Sequence, residues 1–132
     1  MNYKEITKED QQLIDAASEI IRKNFLYGRH HVGCAVRTKS GKVYTGVHME
    51  SKNIDVCAEH VAMGSAVSSG ERDFDSIVSV TMKNHPVPVI IPPCKTCQEL
   101  INFYGPDTWV IVEINSKPQK CKVKDGGIPE SW

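Results

Sequence analysis

Two short blocks restrict the folds open to this chain more than any other feature: Cys57-Ala58-Glu59 and Pro93-Cys94-Lys95-Thr96-Cys97. Each stands where a helical segment opens. Cys57 to Ser69 reads as a helix rich in small residues (Ala58, Ala62, Gly64, Ser65, Ala66), which let it lie close on a sheet or a second helix. Pro92-Pro93 lead into another helix, Cys94 to Phe103. Cys94 and Cys97 are i and i+3, on one helical face, so both sulfurs reach one ion. If Cys57 joins them, the fold must bring two helix N-termini together. Zinc favours thiolates, and a helix N-terminus lowers thiol pKa values. Three protein ligands leave a fourth position to solvent, the pattern of a catalytic rather than a structural zinc, and Glu59 stands two residues from Cys57. Two alternatives stay open on spacing alone. One is a Cys94–Cys97 redox pair; the other is a structural zinc completed by His48, His60 or His85.

The rest of the chain alternates helical and extended patterns. Thr7-Lys8-Glu9-Asp10 reads as a capping box with Asp10 in place of Glu. It opens an amphipathic helix on Leu13, Ile14, Ala17, Ile20, Ile21 and Phe25, ended by Tyr27-Gly28. Val32 to Thr38 and Lys42 to Glu50 read as a hairpin around Ser40-Gly41, followed by a polar loop, Ser51 to Asp55. Further strands are expected at Ser76 to Met82 and Thr108 to Ile114. Val87 to Ile91, with its Pro88, reads as a short edge strand, and Gln119 to Val123 as a weak strand. Helices between strands after an opening hairpin predict an α/β fold: a three-layer α/β/α sandwich around a mixed five-stranded sheet, as one domain over residues 1–132. Tyr104 and Trp109 are expected in the core. Lys117, Lys120, Lys122 and Lys124 are expected on a solvated strand face.

Charge excludes some functions. With 16 basic and 16 acidic residues the chain is formally neutral, whereas nucleic-acid binders usually have a pI above about 9. No apolar run approaches a membrane span, and the charged stretch Met1 to Asp10 lacks the apolar core of a secretory signal. The expectation is a cytoplasmic protein with no nucleic-acid or membrane partner, whose cysteines are not a disulfide framework.

The pair C-A-E and P-C-x-x-C fits the zinc deaminase signature, in which the Glu is the acid/base. On Val32-Gly33-Cys34-Ala35, Thr45-Gly46-Val47-His48-Met49-Glu50, the two cysteine blocks, Ile128-Pro129 and the terminal Trp132, the chain resembles the cytidine deaminase superfamily over nearly its whole length. It looks most like the bacterial blasticidin-S deaminase subgroup. The stretches that carry this are His30-His31-Val32-Gly33, Arg37 to Gly41, Val47 to Glu50, Gly64 to Ser68 and Asp73-Phe74-Asp75.

The resemblance implies a homotetramer that hydrolyses the exocyclic amine of a cytosine ring, with one zinc per chain on Cys57, Cys94 and Cys97. Glu59 would take a proton from water and deliver protons to ring N3 and to the departing ammonia. The backbone around Ala58 would contact the base, and the carbonyl preceding Pro92 would accept from the amine. Glu50 keeps a ribose-binding position, while His48 replaces the usual Asn and His30 the usual Phe. Blasticidin S carries a carboxylated sugar and a basic side chain. The imidazoles of His30 and His48 are therefore expected to meet the carboxylate, and Glu50 a donor. Trp132 is expected to close a neighbouring subunit's pocket. Arginines common beside the cysteines are replaced by His60 and Gln98. The implied substrate is a cytosine nucleoside, blasticidin S first and cytidine or deoxycytidine as the alternative.

Overall fold

The computed structural model describes residues 3–130. Helix α1 (Lys8–Asn24) begins at Thr7, whose hydroxyl accepts from the Asp10 N–H at 3.1 Å while the Asp10 carboxylate accepts from the Thr7 N–H at 2.9 Å. Such caps contribute about 1 kcal/mol. The helix buries Leu13, Ile14, Ala17 and Ile21. It ends at Asn24, before the expected Tyr27-Gly28, because Phe25 is already extended.

Strands β2 (Val32–Thr38) and β3 (Val43–Val47) form the expected hairpin. The extended run then breaks at His48. Met49–Glu50 (β4) leaves the main sheet and pairs with Asp55–Val56 (β5), so part of the expected polar loop is a small second sheet. Then follow α2 (Ala58–Ser68), β6 (Phe74–Thr81), β7 (Val89–Ile91), α3 (Lys95–Tyr104), β8 (Trp109–Ile114) and β9 (Lys117–Lys122).

The main sheet has seven strands rather than five: with Lys4–Glu5 as β1, the order is β1-β9-β8-β6-β2-β3 with β7 also on β6. The first strand, β1 (Lys4–Glu5), is too short and charged to signal itself, and it is held only through pairing with β9. Strand β7 starts after Pro88, so the missing N–H falls outside the ladder. The β6–β8 pair is parallel and the others antiparallel, which makes the sheet mixed as expected.

Side-chain alternation sorts the core into two layers. Ala35, Val78, Val80 and Ile111 meet α1, whereas Cys34, Val36, Ile77, Val110 and Val112 meet the side carrying α2 and Ile101 of α3. Two glycines set how closely the helices approach. A Cβ on Gly33 would lie 2.5 Å from the Ala17 carbonyl oxygen of α1, and one on Gly46 would lie 2.5 Å from the Ala62 nitrogen of α2. The small residues of α2 therefore have their counterpart in Gly46.

One lysine departs from expectation. Lys120 is buried, and its Nζ lies 2.8 Å from Asp10, which also accepts from Arg37 at 2.8 Å. Burial alone would raise the Asp10 carboxyl pKa; hydrogen bonds from Lys120, Arg37 and the Thr7 backbone outweigh it and hold the value at about 2. This cluster ties the α1 N-terminus to β2 and β9. Lys122 and Lys124 lie near Asp107 on the surface, as expected of that cluster. Trp109 is half-buried, with Lys4, Lys120 and Lys122 around its ring. Tyr104 is exposed rather than core and packs edge-on against Phe74.

Candidate active site

Cys57 and Cys94 are the N-caps of α2 and α3, and Cys97 sits in the first turn of α3. Two helix N-termini thus converge, as they must for Cys57 to join Cys94 and Cys97. The Cys57 and Cys94 sulfurs are 3.9 Å apart, and those of Cys94 and Cys97 are 3.3 Å apart. All three lie within 4.8 Å of one another; among the described residues no histidine joins them as a fourth ligand at that spacing. The Gln98 amide donates to the Pro93 carbonyl oxygen at 2.9 Å and braces the turn before Cys94.

At Cys57 and Cys97 burial outweighs the helix termini. Burial first, then the neighbouring sulfur of Cys94 and the carboxylate of Glu59, push Cys57 up to about 11. Burial and Glu59 push Cys97 up further. Cys57 and Cys97 are costly to ionise alone, and with Cys94 they make a three-sulfur donor set that one shared dication stabilises, so these residues fit zinc. An open fourth position is the form of a catalytic site.

Glu59 lies on the first turn of α2, 5% exposed, with Oε1 3.7 Å from the Cys97 sulfur. Its Oε2 accepts from the Ser79 hydroxyl at 2.8 Å. Cys57, Cys94 and Glu59 border a cavity of about 190 Å3, whose wall includes Val32, His48, Asp55, Ala58, Ile91 and Pro92. That is smaller than the ~300–1,000 Å3 of drug-sized pockets and suits a single ring with the remainder outside. Among the described residues no Lys or Arg lines it. A larger open cleft of about 590 Å3 runs past Lys95, Gln98 and Glu130. It lacks the buried carboxylate and the sulfur cluster, so the chemistry belongs to the smaller cavity.

Of the other residues singled out in the sequence, His48, Ala58 and Pro92 line the cavity. Glu50 sits just outside, its Oε1 3.7 Å from His48 Nε2. His30 is not brought to the cavity wall; its Nδ1 donates to the His48 carbonyl oxygen at 2.9 Å. Trp132 lies outside the described residues.

Sequence reasoning missed His31, Asp55 and Ser79. His48 Nε2 is 2.7 Å from the Asp55 carboxylate, while its Nδ1 accepts from the His31 N–H at 3.2 Å. Both ring nitrogens of His48 are therefore engaged. The carboxylate at this part of the wall is Asp55, brought there by the β4–β5 pairing. His31 is buried and stacked on His48 at 5.2 Å between ring centroids. Its Nε2 accepts from the Gly28 N–H at 2.8 Å, so its proton is on Nδ1, 3.8 Å from Glu50. Burial, then His48 and Lys83, lower its pKa. His31, His48 and Glu50 also lie within metal-binding distance of one another. Backbone N–H groups occupy Nδ1 of His48 and Nε2 of His31, so the other nitrogen of each ring carries the proton. These nitrogens present donors to carboxylates rather than lone pairs to a cation.

Comparisons with known proteins bear on the family. The cytidine and deoxycytidylate deaminase zinc-binding region matches residues 7–113. The chain is 40% identical over 129 residues to the blasticidin-S deaminase of Bacillus cereus, covering 91% of this chain and 90% of that one. It is 33% identical over 109 residues to a probable cytidine deaminase of Dictyostelium discoideum, covering 80% and 69%. Its fold overlays the crystal structure of cytidine deaminase from Burkholderia pseudomallei with a TM-score of 0.70 at 26% identity, over 91% and 95% of the two chains. No helix among the described residues is long and apolar enough to cross a membrane. The geometry asked for a zinc enzyme that moves protons at a small ring, and the matches supply the lineage: the chain belongs to the cytidine and deoxycytidylate deaminase family of zinc-dependent aminohydrolases.

Proposed function

We propose that the protein replaces the exocyclic amine of a cytosine nucleoside by oxygen, with blasticidin S as its substrate and cytidine or deoxycytidine as the second reading. The observation that carries this is the buried Glu59 carboxylate, 3.7 Å from a three-cysteine cluster at the wall of a ring-sized cavity. The blasticidin-S reading is favoured by the 40% identity across nearly both chains.

Cys57, Cys94 and Cys97 would hold the zinc, which would supply the Lewis acidity that lowers the pKa of water towards about 7. Glu59 takes a proton from the attacking water and passes it to ring N3 as the oxygen bonds to C4. It then takes the remaining hydroxyl proton and delivers it to the amine, the C4–N bond breaks, and ammonia leaves. C4 keeps the oxygen as a carbonyl and N3 keeps its proton. One carboxylate used twice contributes about 10²–10⁴-fold per transfer. The Ala58 backbone and the Ile91 carbonyl preceding Pro92 hold the base and its amine. The sugar faces His48, Glu50 and Asp55. His30 supports His48 through the His48 carbonyl oxygen, and the assembly is a homotetramer. A neutral chain with so small a cavity suits a free nucleoside in the cytoplasm rather than a nucleic acid.

The test is loss of the cytosine absorbance with blasticidin S, cytidine and deoxycytidine side by side. Blasticidin S should match or exceed cytidine in kcat/KM. Turnover of cytidine alone would replace this reading by the salvage one.

A further inference from the structure

We infer that Ser79 is a positioning residue that sets the orientation of the Glu59 carboxylate. Strand β6 turns Ile77 and Ser79 towards α2, and Val78 and Val80 towards α1. Ser79 thus places a hydroxyl in an otherwise apolar layer at 2% exposure, where an unpaired hydroxyl is costly. Its partner is Glu59 Oε2 at 2.8 Å, a charge-assisted bond between two buried groups. The next inward hydroxyl on β6, Thr81, donates instead to the His31 carbonyl oxygen and links backbone to side chain. Ser79 is the hydroxyl of this strand that ends on the acid/base.

The bond divides the two carboxylate oxygens. Oε2 is pinned to the sheet, and Oε1, 3.7 Å from the Cys97 sulfur, is left for the proton traffic. Behind Ser79 stands Cys34, its partner in the β2–β6 register and fully buried. Burial and the nearby Glu59 raise the Cys34 pKa well above the ordinary thiol value, so it stays S–H beside the Ser79 hydroxyl. Cys34, Ser79 and Glu59 form a buried polar row running from the middle of the sheet to the site. A Glu side chain has three rotatable bonds. Fixing it before the substrate arrives removes that freedom from the reaction step, which is how a supporting residue acts on rate.

This rests on Glu59 as the acid/base, and the experiment separates the two ideas. Ser79→Ala, Ser79→Thr and Glu59→Gln are assayed beside wild type for kcat, KM, zinc content and thermal midpoint. Ser79→Ala should lose roughly 10- to 100-fold in kcat, the size of a hydrogen bond to a charged group, with KM within about twofold and zinc retained. Ser79→Thr, which keeps the hydroxyl, should restore most of the loss. Unchanged kcat in Ser79→Ala overturns the inference. So does a loss that follows loss of zinc or of folded protein, or one that folded, zinc-loaded Ser79→Thr fails to restore. If Ser79→Thr does not fold, a structure of Ser79→Ala decides: Glu59 turned away from β6 supports the inference, and Glu59 unmoved refutes it. An active Glu59→Gln refutes the acid/base assignment itself, whereas an inactive one with wild-type kcat in Ser79→Ala refutes Ser79 alone.

Discussion

Gly46→Ala should damage both stability and turnover, although Gly46 touches no substrate. The added Cβ would sit 2.5 Å from the Ala62 nitrogen and 2.8 Å from Val61 Cβ and Cγ1. Ordinary contact begins at 3.4 Å, so α2 must retreat by about 0.9 Å, the difference between 3.4 and 2.5. The obstacle is helix backbone, which cannot swing aside as a side-chain tip would. Overpacking of this kind costs about 1–3 kcal/mol. In a domain of this size that lowers the thermal midpoint by roughly 3–10 °C. The same retreat carries Cys57 and Glu59 away from α3 and from Ser79, because all of α2 moves as one rod. Misplacement of a reacting group by about 1 Å costs on the order of 100-fold in rate. The assays are urea unfolding of the zinc-loaded protein and kcat for the deaminated nucleoside. Gly64→Ala is the control: it lies on the same helix, its Cβ would meet nothing within 4 Å, and a helical Gly-to-Ala change should gain up to about 1 kcal/mol. Gly46→Ala with stability within about 0.5 kcal/mol of wild type and kcat unchanged would show that α2 is not held by this contact.

Two more predictions concern the metal and the buried ion cluster. Cys97→Ala should purify without stoichiometric zinc and with a lowered thermal midpoint. A chelator should lower the midpoint of wild type but leave that of the mutant in place; equal chelator sensitivity of the two would remove Cys97 from the ligand set. Asp10 should give a pH-dependent share of stability. Its folded pKa of about 2 lies below the ordinary 3.8, so the stabilisation is complete above pH 3.8 and fades as pH falls from there towards 2. A shift of that size is worth about 2 kcal/mol. Urea titrations of wild type and Asp10→Asn should therefore differ at pH 6 and converge below pH 3.8, and a constant gap down to pH 2 would contradict the assignment.

Local sequence determined the parts whose physics is local. The capping box at Thr7 and Asp10, the 3.6-residue periodicity of α1 and the hairpin around Ser40-Gly41 need only neighbours in the chain, and all three stand as read. The spacing of Cys94 and Cys97 put two sulfurs on one helical face, and Glu59 had to follow Cys57 wherever that helix began. Tertiary structure decided which residues surround them. His48 meets Asp55 because the chain leaves the main sheet at His48 and returns as the β4–β5 pair. Lys120 is buried because Asp10, far away in sequence, offers its carboxylate beneath the sheet. Ser79 looked like one polar position in an apolar strand, and only the packing of α2 on β6 gave its hydroxyl a carboxylate to hold. Spacing along a helix fixes direction within a few ångströms. A contact between elements depends on register and on how closely they pack, which the sum of many distant side chains sets.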